Sequence, residues 1–143
     1  AAAGEEPLGL RGDLAQLQAV QSVTTVDGVT KSAPMWEVLA DRTGRSWGFN
    51  YRVTAVGDDF QTDNGFVPRT GVISGIAANR FSFYGRPEAL VQQLTTFITV
   101  QPLWRYDDFP RTGTTENEVA QQVNASLRGG WSMRARWSVT WWR

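Results

Sequence analysis

Apolar and polar residues alternate one for one through residues 131–141. Trp131, Met133, Ala135, Trp137, Val139 and Trp141 are apolar, and Ser132, Arg134, Arg136, Ser138 and Thr140 between them are polar. Only a β-strand puts two such sets on opposite faces, because its side chains alternate with period two. Neither Gly nor Pro interrupts the run. The distance from Trp131 to Trp141 is about 33 Å at ~3.3 Å per residue. A tilt of about 40° projects that to roughly 25 Å, the height of the apolar band on a transmembrane barrel. Soluble strands average only about 5–6 residues, so an aromatic at each end of a membrane-sized apolar face favours a strand between lipid and a polar lumen.

The same alternation recurs upstream. Residues 1–11 read as a lead-in of small residues, two glutamates and Pro7. Residues 12–25 are ambiguous: Leu10, Leu14 and Leu17 fit one helix face, while Ala15, Leu17, Ala19 and Val23 fit one strand face. The β-branched run Val23-Thr24-Thr25-Val26 decides for strand, and Asp27-Gly28 is a turn signal. A second strand covers 32–41, with Trp36, Val38 and Ala40 on one face and Pro34 at its entrance. The third covers 46–56, with Trp47, Phe49, Tyr51, Val53 and Ala55 opposite Gly48, Asn50, Arg52 and Thr54. After a polar loop at 57–70, the fourth covers 71–84 (Ile73, Ala77, Phe81, Phe83). The fifth covers 90–106, where Leu94, Ile98, Val100 and Trp104 oppose Gln93, Thr95, Thr99 and Gln101, and Pro102 weakens the far end. Residues 107–117 are a loop, 119–128 a sixth strand, and Gly129-Gly130 a tight turn into the seventh. The expected fold is all-β: an antiparallel up-and-down β-barrel of about seven strands over residues 12–143. Long strands with alternately tight and extended connections fit a transmembrane barrel. An odd count with no strand left to close the ring points to a segment of a larger barrel.

Charge narrows the functions. Fourteen basic and fourteen acidic residues balance, so no nucleic-acid partner is indicated. All the basic residues but Lys31 are arginine. Arg52, Arg128, Arg134 and Arg136 are expected on the polar face, either lining a lumen or facing solvent. Trp47, Phe49, Tyr51, Trp104, Trp131, Trp137 and Trp141 are expected to face lipid or sit at its interface. Cysteine and histidine are absent, which removes disulfides, Cys- or His-ligated metals and His-dependent triads. No run of about 20 apolar residues forms a membrane helix, and no basic-then-apolar leader opens the sequence. Asp58, Asp59 and Asp63 supply hard oxygens for Ca²⁺, but their spacing is not that of an EF-hand. Asp107, Asp108, Glu116 and Glu118 are the remaining carboxylates for a glycosidase pair, yet adjacent acids in polar loops read as solvated turns. No catalytic residue, metal or cofactor is expected. Tryptophans that stack on sugar rings keep carbohydrate as a candidate ligand.

The stretch Asp58-Asp59-Phe60, followed by Asn64-Gly65-Phe66-Val67-Pro68-Arg69-Thr70, resembles a family of bacterial proteins. In these, a carbohydrate-binding module of the family 9 type precedes a β-rich domain of unknown function regarded as an outer-membrane barrel. The likeness runs loosely from Gly12 to Trp142, and its specific part is Gly65 to Arg69. The chain contains no counterpart of the module. The resemblance implies a Gram-negative outer-membrane location and a sugar-related context. Its partners would be membrane lipid and the rest of a larger barrel or other envelope chains. Within the signature, Asn64-Gly65 suits a positive-φ turn and Pro68 stiffens re-entry into the next strand. Arg69 is expected to pair with Asp58, Asp59 or Asp63. The role that follows is anchoring, scaffolding or pore formation. The alternative is a soluble β-barrel or sandwich that binds carbohydrate or a small apolar ligand.

Overall fold

The computed structural model describes residues 12–61 and 69–143. Seven strands form one antiparallel sheet in sequence order: β1 (Gly12–Val26), β2 (Val29–Thr43), β3 (Trp47–Val56), β4 (Val72–Tyr84), β5 (Val91–Arg105), β6 (Glu116–Leu127) and β7 (Ser132–Trp142). The seven antiparallel up-and-down strands do not close into a barrel: β1 and β7 each pair on one side only. The expected lead-in lies outside the described residues.

β2 begins at Val29, three residues before the expected start at Ser32, and runs through Pro34. In an antiparallel strand a residue's N and O point the same way. Pro34 O accepts from Gly57 N at 2.9 Å, on the side of β3 but beyond the last β2–β3 pair, Met35 with Val56. The missing N–H therefore costs no ladder bond. At Pro102 the cost is visible. The β4–β5 ladder pairs Ala77 with Val100 and Ser74 with Leu103 but skips the positions between. Gly75 accommodates the proline ring there, since a Cβ at Gly75 would lie 3.0 Å from Pro102 Cγ.

Cross-strand register sorts the side chains onto two faces. One carries Ala15, Leu17 and Ala19 of β1, continuing through Trp36, Val38, Val53, Ala55, Ile73, Ala77, Ile98, Val100, Val119 and Val123 to Ala135, Trp137, Val139 and Trp141. These are the apolar sets that the alternation assigned strand by strand, now continuous across the sheet. The other face carries the amides, hydroxyls and charges. Connections differ at the two ends. Residues 44–46, 85–90 and 128–131 form short turns at one end, and 57–71 and 106–115 form the longer loops at the other. The β1–β2 turn at that second end is tight, with Asp27 and Gly28 at φ 49° and 78°. Its hairpin extends past β3, and Phe60 of the 57–71 loop folds back to bury against Ala33, Val56 and Met35.

Candidate functional site

The two faces invert the usual arrangement of a soluble sheet. On the apolar face Val53 is 36% exposed, Trp137 52% and Val139 63%, whereas Ser82 and Thr95 on the polar face are 4% and 7% exposed. The contrast holds at these positions but not everywhere, since Ala55, Ile73 and Ala125 on the apolar face are buried. Spaces of about 260 to 380 Å³ open beside polar-face residues such as Asn50, Arg80, Thr95, Glu118 and Gln122.

Charge follows the same division. Lys31, Glu37, Asp41, Arg52, Arg80, Arg105, Glu116, Glu118, Arg134 and Arg136 all register on the polar face. Among the strand residues only Asp13 and Arg42 carry charge on the apolar face, and they pair with each other at 3.8 Å near the short-turn end. Arg42 also lies 4.7 Å over the Trp47 ring. Other polar groups on the apolar face are satisfied internally. Asn79 Oδ1 accepts from Tyr51 Oη at 2.9 Å and Trp47 Nε1 at 3.3 Å, and Gln121 Nε2 donates to Thr96 Oγ1 at 3.2 Å.

The expected aromatic residues register on the apolar face, with Trp131 just outside β7 in its turn. Trp47, Phe49 and Tyr51 stack in sequence, with centroids 5.4 and 4.6 Å apart. Trp104 meets Phe109 edge to face at 5.5 Å, near the long-loop end. Aliphatic and small residues fill most of the face between, although Trp137 sits mid-strand.

Of the four arginines assigned to the polar face, three lie there. Arg52 faces Glu37 at 3.9 Å, Arg136 faces Glu118 at 3.8 Å, and Arg134 Nε donates to Asn124 Oδ1 at 3.1 Å. Arg128 does not. It follows the end of β6, and its Nη1 donates to Glu88 O at 3.2 Å across the short-turn rim. Arg80 was missed because the apolar residues of β4 drew attention away from its polar register. Its guanidinium crosses Gly48 and donates to Gly44 O. Phe97 was missed because it breaks the pattern, an aromatic in phase with Thr95 and Thr99. It pairs with Arg80 on one side and Gln122 on the other.

The loop expectations fare differently. Asp63, Asn64, Gly65, Phe66, Val67 and Pro68 lie outside the described residues. Arg69 pairs with Glu116 at 3.0 Å, reaching to the start of β6 in place of Asp58 or Asp59. Asp59 pairs with Lys31 at 2.7 Å. Local burial first, then the charge of the Asp107 carboxylate in the 106–115 loop and hydrogen bonding to it, with a smaller push from Asp59, hold the Asp58 carboxyl above the ordinary carboxylate value against the pull of Arg105. Among the described residues no three acidic groups converge to hold a metal ion. No family model, curated protein or solved structure matches the chain.

Proposed function

We propose that this sheet is part of the wall of a Gram-negative outer-membrane β-barrel, with the apolar face in lipid and the polar face toward an aqueous lumen. Its role is to anchor an envelope assembly or to form a polar pore. The observation that carries this reading is the segregation of charge. Across seven strands, charge on the exposed apolar face is confined to one mutually paired couple at one end, while the other face is lined by arginine, acid and amide. A soluble sheet segregates charge in the same way when its apolar face is covered, but here Trp137 and Val139 on that face are 52% and 63% exposed. Hydrocarbon selects against charge on such a face at about 2–4 kcal/mol for an arginine or lysine at the bilayer midplane. Aromatic groups toward both strand ends and loops longer at one end fit the same picture.

The open edges specify what completes the wall. Unpaired backbone N–H and C=O groups cannot face lipid, so β1 and β7 each need a neighbour. With seven strands in up-and-down order, β1 and β7 run in the same direction. An all-antiparallel closure therefore takes an odd number of further strands. The likeness of Gly65 to Arg69 to the envelope family supports the same location.

Cell fractionation tests the reading, followed by gel migration of the detergent-extracted protein with and without boiling. Recovery with the outer membrane and a heat-dependent shift are expected. Release into the soluble fraction with no shift would overturn the proposal and make the tryptophan face a surface covered by protein.

A further inference from the structure

The polar face has one feature that a plain water-filled wall does not need. Phe97 lies in its middle, whereas the other strand aromatics of that face, Tyr84 and Trp142, sit at strand ends. Along one cross-strand row the order is Gly48, Arg80, Phe97, Gln122, Arg136. On the long-loop side the adjoining row is small (Ala78, Thr99, Ala120), and this leaves open space beside the ring. Phe97 borders three clefts of about 260, 280 and 370 Å³, and Arg80 borders two of them.

The groups around the ring are planar and held in place. Gln122 Nε2 donates to Asn124 Oδ1 at 3.1 Å, and the same oxygen accepts from Arg134. Asn50 Nδ2 donates to Asp41 Oδ2 at 3.0 Å. An aromatic flanked by arginine, amides and a carboxylate is the chemistry that recognises a pyranose. The C–H face of the sugar packs on the ring, and its hydroxyls meet fork-shaped donors and acceptors. Each cleft is near the lower end of the ~300–1,000 Å³ range of small-ligand sites. A short run of sugar rings fits the contiguous set better than one bulky ligand. Free phosphate fits poorly, since Arg136 faces Glu118 and Asp41 adds negative charge.

We propose that Phe97 is the stacking platform of an oligosaccharide-binding site on the polar face, with Arg80 and Gln122 contacting the sugar hydroxyls. This rests on reading that face as water-filled, as the barrel proposal does. The test is calorimetric titration of the detergent-extracted protein with maltohexaose, cellohexaose and chitohexaose, and with inorganic phosphate as a control. At least one hexasaccharide is expected to bind the parent protein. Phe97→Ala is expected to weaken that binding about three- to tenfold, the equivalent of one aromatic packing interaction. Phe97→Tyr should restore it, and Gln122→Ala should weaken it without altering heat-modifiability. Equal binding by the parent and Phe97→Ala overturns the proposal, as does binding of phosphate alone or of none of the probes. Membrane recovery without sugar binding overturns only this proposal. Sugar binding by a protein that needs no detergent overturns only the membrane reading.

Discussion

Val53 and Thr54 are neighbours in β3 with opposite surroundings. Val53 projects onto the open apolar face between Val38 and Gly75. Thr54 projects onto the crowded face, where its hydroxyl donates to Glu37 Oε2 at 3.0 Å. A similar step recurs in β5, where Ile98 and Val100 are 38% and 37% exposed while Thr95 is buried beside Ser82. The pair Val53→Arg and Thr54→Arg measures this directly. In lipid vesicles Val53→Arg is expected to lower folding stability by about 2–4 kcal/mol. Thr54→Arg, which faces Glu37 across a polar surface, is expected to stay within about 0.5 kcal/mol. Urea titration of both variants decides it, and equal effects would remove the distinction between the faces.

Asn79 sharpens the contrast because it is polar on the apolar side. If lipid covers that face, no water replaces the oxygen that Trp47 Nε1 and Tyr51 Oη donate to. Asn79→Leu is then expected to cost about 1 kcal/mol in vesicles, the usual worth of such bonds in membranes. If water reaches the face, the change should be close to neutral, because both donors are rehydrated.

Most of this division was legible in the alternation, because period-two patterning is a property of each strand alone. Trp137 and Arg136 fall on opposite faces because they are neighbours in β7. What the pattern could not supply was anything that depends on register between strands. Phe97 becomes notable only when Arg80 and Gln122 are brought to either side of it, and nothing in β5 alone announces them. Asn79 reads as an isolated polar residue until β3 delivers Trp47 and Tyr51 to it. The prolines depend on register too: what Pro34 and Pro102 cost turns on whether the neighbouring strand needs the missing donor. Arg69 was assigned to the nearest acids in sequence, whereas a long side chain at a sheet end reaches Glu116 across two strands. Long strands imply curvature, but whether the first and last meet depends on tilt and stagger, which no single strand reveals.

The smallest expected effect concerns the loops at one end. The carboxyl groups of Asp58 and Asp107 bring the 57–71 and 106–115 loops into electrostatic contact. Because the fold raises the Asp58 value above the ordinary 3.8, it favours the protonated form. Its stabilising contribution is fully present below about 3.8 and fades as pH rises through the raised value. Asp58 is exposed, so solvent screens the interaction and the change stays below about 0.5 kcal/mol. Hydrogen exchange at Tyr106 N, which donates to Gly71 O at 2.9 Å, and at Phe60 N, which donates to Gly57 O at 3.2 Å, reads the two loops separately. After correction for intrinsic rates, both amides are expected to lose protection as pH rises from below 3.8 toward neutrality. Asp58→Asn keeps a donor at every pH and should flatten that slope. An unchanged slope in Asp58→Asn would show that another group, Asp107 or Asp59 first, governs the joining of the loops.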